Sequence, residues 1–385
     1  MRIVERYGPG FKLLRGAGGW ALFVPWRFVL SLLYGCALKA PFLSPRGAAR
    51  QRPVGRPDGA GAEPRVTSIG NVEAGGGGKT PCALRLAEEI RARGGTPVVV
   101  SRGYRGIAQR YAPCVVPAGR KVGAVRDVRY TTEAEALLRA GASSSITEAS
   151  MAALLGDEIM LYRRRGIPVV IDADRGRGGR LATRLFSATH ILLDDAFQNR
   201  SIAKDVDIVL LDAEKPFGNG RLLPLGPLRE PPSAIGRADI VIFTRAESDR
   251  LPPEAERLVE GKRVYFASHD PVDLIDAAGA AKPLTLLAGL DCILFSGIAR
   301  PDSFEMSVNR LGARPRMAFR FVDHHRYTER DILGMFKAAG GEIPFITTEK
   351  DWVKTHDLFP PRTELFALRV TMSIREIETL IDCIG

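Results

Sequence analysis

The 385-residue sequence predicts an α/β fold: an open, doubly wound, mostly parallel sheet, with a smaller C-terminal α/β lobe and an N-terminal membrane-associated helix. Three observations carry this. From position 65 onward, short apolar runs alternate with helical patterns. The runs "TPVVVS", "IPVVIDAD", "HILLDD", "DIVLLD" and "DIVIFT" are continuous rather than alternating, as strands covered on both faces require. Past about residue 285 the pattern restarts with "CILFSGI", helices near 303–311 and 328–339, "PFITTEK" and "ELFALRV". Four units are therefore expected: a membrane-interface helical segment (1–45), a Pro/Gly/Arg linker (46–64), the main α/β domain (65–285) and the smaller lobe (286–385).

In the first unit, residues 19–43 are apolar but interrupted by Pro25 and Arg27. The clean run at 28–38 is about half of the ~20 residues that span a bilayer. A signal peptide and a buried core helix are competing readings, and the mid-segment arginine argues against the former. Trp20 and Trp26 near its start, with Arg2, Arg6, Lys12 and Arg15 before it, favour a helix lying in the membrane interface. Arginines of the linker "RGAARQRPVGRPDGAGAEPR" reinforce such an anchor by ~1 kcal/mol each near anionic lipid. The net charge of +11 thus has a place at a membrane or on a phosphorylated ligand. No zinc-finger spacing, RNA-recognition signature or basic heptad supports nucleic acid. Cys36, Cys82, Cys114, Cys292 and Cys383 never form C-x-x-C, which argues against a disulfide framework or zinc site and fits a reducing compartment.

The main domain opens with "RVTSIG", a strand, and "PCALRLAEEIRARG", a helix with proline in its first turn and glycine at its end. Between them lies "NVEAGGGGKT", the context that G-x-x-x-x-G-K-[ST] requires. Gly75, Gly76, Gly77 and Gly78 let backbone N–H groups turn inward around a phosphate. Lys79 adds a full charge, the helix N-terminus a partial one, and the Thr80 hydroxyl a Mg²⁺ ligand. Glu73 replaces the first glycine, so the turn is expected to be entered through Gly70 and Asn71; a glycine-rich surface turn is the competing reading. "HILLDDAFQ" ends an apolar strand in Asp194 and Asp195, carboxylates placed for a hard cation, or else a simple cap or turn pair. The two motifs in this order predict a nucleoside triphosphate site on a P-loop NTPase-like sheet.

Phosphoryl transfer to an acceptor also needs a proton acceptor. "LLGDEIMLYRR" puts Asp157 and Glu158 at the start of a helix, and "FRFVDHHRY" puts Asp323 and His324 in the second lobe. A carboxylate and a histidine meeting across a cleft would form a proton-accepting pair on closure. A helix N-cap for Asp157 and a turn position for His324 stay open. "TEKD" (348–351) comes near a base-reading N/T-K-x-D motif but sits in the second lobe and is read as coincidence.

"SIGNVEAGGGGKTP", "SRGYRG", "GDE", "LLDDAFQNRSIAKDVDIVLLDA", "FGNGRLLPLGPLRE", "FSGIARPDSF", "FVDHHRY" and "TTEKDWVK" stand in the order seen in tetraacyldisaccharide 4′-kinases, the lipid A kinases. The chain resembles that family from about residue 65 to 355, and its N-terminal apolar segment looks like that family's membrane-associated start. "FGNGRLLPLGPLRE" is the most specific piece. The resemblance implies transfer of the γ-phosphate of ATP to the 4′-hydroxyl of a tetraacylated disaccharide 1-phosphate in lipid A biosynthesis. It implies ATP and Mg²⁺, a lipid A disaccharide precursor as substrate, no nucleic acid and no obligate protein partner. The expected location is the cytoplasmic face of the bacterial inner membrane, as a monotopic protein.

By resemblance, Glu73, Ala74 and residues 75–80 hold the nucleotide, with Lys79 on the transferring oxygens. Thr80, Asp194, Asp195 and Glu158 serve the metal, and Asp157 matches the proposed base with His324 its partner. Arg102, Arg105, Arg229 and Asn199 are candidates for the substrate, the arginines equally for structural ion pairs. The family's loop also lacks glycine at the position of Glu73 but usually has a small hydroxyl residue there. Further departures are Asn199 for histidine, Ala196 for glycine, and about thirty extra residues near 109–155. A membrane-associated P-loop ATPase or GTPase switch acting on a protein partner is the alternative, and it leaves "FGNGRLLPLGPLRE" and "FVDHHRY" unexplained. A non-enzymatic binding module is opposed by intact Lys79, Thr80, Asp194 and Asp195.

Overall fold

The computed structural model describes residues 2–5, 63–104, 106–111, 113–117 and 148–385. The expected interface helix, most of the linker, Arg105 and most of the extra segment lie outside the described residues.

The first part of the chain supplies β1 (Arg2–Glu5), β2 (Arg65–Asn71), α1 (Lys79–Ala92), β3 (Pro97–Ser101), β4 (Cys114–Val116), α2 (Glu148–Leu155), α3 (Asp157–Arg164), β5 (Val169–Ile171) and α4 (Arg175–Phe186). β6 (His190–Asp194), β7 (Val206–Asp212), β8 (Ile240–Thr244), β9 (Arg263–Ile275) and β10 (Ala281–Lys282) follow. The last part holds β11 (Asp291–Ser296), α5 (Pro301–Arg310), β12 (Arg314–Arg320), α6 (Glu329–Ala339), β13 (Phe345–Thr348), α7 (Glu349–Thr355), β14 (Leu365–Ile374) and α8 (Ile377–Ile384).

The strands form one sheet in the order β1-β12-β11-β13-β14-β9-β8-β7-β2-β6-β3-β5-β4, with β10 paired to β9. The β9–β14, β4–β5 and β10–β9 pairs are antiparallel and the others parallel. β3 and β8 are buried at every position, as continuous apolar runs between two helical layers should be. α1 turns Cys82, Ala83, Leu86, Ala87 and Ile90 onto this sheet, a stripe at helical spacing.

The smaller lobe is therefore joined to the main domain through the sheet itself. β9 is parallel to β8 over Arg263 to Ala267 and antiparallel to β14 from Ala267 to Ile275, so one long strand belongs to both halves. Its polar centre, "SHDP", conceals it from an apolar-run reading. At the far edge, residues 2–5 form a strand parallel to β12, and the rest of the expected 1–45 segment lies outside the described residues. Among the described residues, no helix is long and apolar enough to cross a membrane. Cys82, Cys114 and Cys292 are buried free thiols, acting as small core hydrophobes.

Because β2, β6, β7 and β8 are parallel neighbours, their carboxyl ends open onto one edge, where ligands bind in open α/β sheets.

Candidate functional site

The glycine loop runs from β2 into α1. Gly75, Gly76 and Gly78 have φ of 91°, 43° and 81°, the left-handed region where only glycine is unstrained, so the run of glycines is a backbone requirement. Glu73 does not sit at such a position. It bridges antiparallel to Leu228 of "FGNGRLLPLGPLRE", flanked by Ala74 N–H donating to Pro227 O (2.7 Å) and Arg229 N–H to Val72 O (2.7 Å). The entry to the loop is a short sheet-like clamp, and extended backbone needs no glycine. Nor is Gly70 the turn: it lies in β2, where a Cβ would stand 2.5 Å from Cβ of Phe197. That glycine permits the close approach of the segment after β6. Burial pushes the Glu73 carboxyl above its usual range, opposed by Arg300 and Arg245.

Lys79 Nζ donates to Asn71 Oδ1 (3.2 Å) and lies 3.5 Å from Asp195. Asp194 is fully enclosed at the end of β6, accepts a hydrogen bond from the Tyr162 hydroxyl (3.0 Å), and is pushed up by burial and by Asp195. The Tyr162 hydroxyl also interacts with Thr80, so Thr80, Tyr162 and Asp194 share one corner. Burial raises Asp195 too, but Lys79 and Arg229 outweigh it and hold the carboxyl below its usual range. Arg229 Nη1 spans both Asp195 oxygens at 2.8 and 3.0 Å. A hydroxyl beside two carboxylates is a hard-oxygen donor set, and it fits a small divalent cation.

Across the cleft, α3 begins at Asp157 behind Gly156, whose φ of 99° makes Gly156, not Asp157, the N-cap. Asp157 is buried, and its carboxylate receives His324 Nδ1 at 2.9 and 3.0 Å. Burial opposes its charge, but His324, Lys350 and Lys354 win and hold it well below the carboxylate range. His324 sits in a turn with φ 59°, a strained conformation that aims its ring from the second half of the sheet at the first. Its Nε2 meets Lys350 Nζ at 3.1 Å and Glu158 Oε1 at 3.4 Å. A lysine donor at Nε2 and a carboxylate at Nδ1 correspond to the Nδ1-protonated tautomer. Burial raises Glu158, with Lys350 opposing.

These groups open onto one cleft of about 1680 Å³. Ala74, Gly75, Gly76, Gly77, Gly78, Lys79, Thr80, Arg102, Glu158, Asp194, Asp195, Asn199, Arg229 and His324 line it. Asp157 lies behind His324, and Glu73, whose backbone bridges Leu228, is not among the lining residues. Asn199 spends its side-chain oxygen on Ser201 N (2.9 Å) and Oγ (2.8 Å), an Asx turn. "TEKD" has other tasks than base reading: Thr348 caps α7, Asp351 accepts from Gly297 N (2.9 Å), and Lys350 meets His324.

Residues that pattern reading passed over cluster at the remaining strand ends. Arg175 donates to Asp194 O (3.0 Å) and is pushed down to about 10 by burial. Asp212 ends β7 and Arg245 follows β8; Arg245 Nε donates to Asp212 (3.0 Å) and Nη1 to Gly76 O (3.2 Å). Their signal was position, since Asp212 ends a parallel strand as Asp194 ends β6, and Arg245 follows one as Asp195 follows β6. Lys350 had a signal in "TTEKDWVK".

The profile of the family described as LpxK, tetraacyldisaccharide-1-P 4′-kinase, matches residues 29–128 and 136–384. A tetraacyldisaccharide 4′-kinase of Anaeromyxobacter dehalogenans is 38% identical over 332 residues, covering 82% of this chain and 79% of its own. The Syntrophus aciditrophicus protein of the same name is 37% identical, covering 75% of each chain. A crystal structure of LpxK from Aquifex aeolicus in complex with ATP superposes with a TM-score of 0.67 at 23% identity, over 94% of this chain and 98% of that one. That last likeness is one of fold.

Proposed function

The chain belongs to the tetraacyldisaccharide-1-P 4′-kinase family, and from this we propose how its cleft performs the reaction. It is a lipid kinase that moves the γ-phosphate of ATP to the 4′-hydroxyl of tetraacyldisaccharide 1-phosphate in lipid A biosynthesis. The observation that carries the division of labour is that His324 lines the cleft while Asp157 lies behind it.

His324 Nε2 takes the proton of the acceptor hydroxyl, and Asp157 holds the ring in its tautomer and stabilises the imidazolium that forms. This exchanges the two roles that the family pattern suggests. Lys350 yields Nε2 to the substrate and keeps Glu158 (3.2 Å) and Asp323 (3.7 Å) as partners. The amides of residues 75–80 and Lys79 neutralise the triphosphate, where charge spreads over the transferring oxygens. Thr80, Asp194 and Asp195 would hold Mg²⁺, with Glu158 supporting from the dyad side; the ion supplies charge neutralisation on the phosphates. Arg102 and Arg229 serve the substrate side, Arg229 also anchoring Asp195. The acyl chains of the substrate call for work at a membrane surface, and the need for ATP supports the cytoplasmic face of the inner membrane as our reading of where that is.

The test is transfer of label from γ-labelled ATP to tetraacyldisaccharide 1-phosphate in detergent micelles. Labelled lipid from wild type, lost in Lys79→Ala, is expected. Free phosphate without labelled lipid would overturn the reading in favour of a switch ATPase.

A further inference from the structure

We propose that Arg300 is a nucleotide-phosphate ligand, stored on Asp212 and delivered to the glycine loop from the opposite half of the sheet. This rests on the kinase reading and adds to it a residue on the loop between β11 and α5. Three observations carry it.

The first is proximity. A Cβ on Gly76 would meet Ala299 Cβ at 3.3 Å and Arg300 Cγ at 3.9 Å, and one on Gly75 would meet Ala299 Cβ at 4.0 Å. The segment carrying Arg300 therefore lies in van der Waals reach of the loop backbone that receives phosphate, and both line the same cleft. The second is releasability. Arg300 Nη1 holds Asp212 Oδ2 at 2.5 Å, but that oxygen also takes Arg245, while Asp212 Oδ1 accepts Glu214 N (2.8 Å) and Lys215 N (3.2 Å). Asp212 remains paired and hydrogen-bonded when Arg300 leaves, so departure strands no buried charge. The third is the contrast with Arg245, which is committed: its Nε and Nη2 are on Asp212 and its Nη1 on Gly76 O. Arg245 braces the loop; Arg300, with 41% of its side chain exposed against 22% for Arg245, has surface to offer a ligand.

A triphosphate brings more negative charge to this spot than one shared carboxylate, and guanidinium binds phosphate oxygens in a two-pronged geometry. Transfer of Arg300 from Asp212 to the phosphates would also hold the β11–α5 loop against the nucleotide, since Ala299 already lies within van der Waals reach of Gly76.

The experiment is calorimetric titration of wild type, Arg300→Ala and Arg300→Lys with Mg-ATP and with adenosine, alongside melting of each ligand-free protein. Arg300→Ala is expected to weaken ATP by about tenfold to a hundredfold, the range of a lost charge-assisted contact. Arg300→Lys should restore part of this, and adenosine should bind all three alike. Equal ATP affinity in wild type and Arg300→Ala, or an equal loss for adenosine, would overturn this inference alone. Failure of ATP to bind the wild type would overturn the kinase reading as well.

Discussion

Replacing Asp157 by asparagine tests the assignment of His324 as proton acceptor. The carboxylate lies 2.9 Å from His324 Nδ1. When the ring gains a proton, that charge favours the imidazolium by about 6 kcal/mol at an effective dielectric of ~20. Lys354 and Lys350, 3.5 and 3.8 Å from the same carboxylate, cancel part of that field. Leaving about half gives ~3 kcal/mol, roughly a hundredfold in rate. Removing the ring itself in His324→Ala should cost more, up to ~10⁴-fold, the upper range for a positioned general base. The assay is label transfer at saturating ATP and lipid, with the apparent KM of each followed separately. Both losses should fall on kcat, and added imidazole should restore part of the activity of His324→Ala but none of Asp157→Asn. A larger loss in Asp157→Asn than in His324→Ala, without imidazole rescue, would refute the assignment and return the role of base to Asp157.

Two further outcomes follow from geometry. Gly70→Ala forces a Cβ to within 2.5 Å of Phe197 Cβ and 2.8 Å of Phe197 N, against backbone that cannot turn aside. It should destabilise by about 1–3 kcal/mol or more, read by urea unfolding; an unchanged midpoint would contradict the close approach. His269, beside Gly78, is pushed down to about 4 by burial, with Arg245 adding to it. Above about pH 6.5 the ring is neutral in both folded and unfolded chains and contributes no pH dependence. Between about 6.5 and 4 the unfolded chain binds a proton that the folded one refuses, so stability falls as pH falls, by ~2 kcal/mol at about pH 5. His269→Gln should flatten that limb of the stability profile relative to wild type; an identical slope would show that the ring titrates normally.

Much of this protein is legible before any coordinate is known. Continuous apolar runs identify β3, β6, β7 and β8 because a strand covered on both faces has no solvent side to make polar. The glycine run identifies the tight turn from β2 into α1 because left-handed backbone at Gly75, Gly76 and Gly78 admits almost nothing else. Asp157 and His324 are legible only as candidates, since 167 positions separate them and no local rule brings them together. Period and composition likewise miss β9, whose two halves pair with different strands and so carry no single alternation.

Only the folded chain decides which residues share a carboxylate. Glu73, at a position the motif reserves for glycine, is accommodated by pairing with Leu228, 155 positions away. Lys350, Arg245 and Arg300 follow β13, β8 and β11, strands far apart in the chain whose ends the sheet brings to one cleft. Local sequence dictates backbone conformation and burial through sterics and hydrophobic periodicity, which act over a few residues. The site is assembled by charges and hydrogen bonds acting through space, and their partners are chosen by topology.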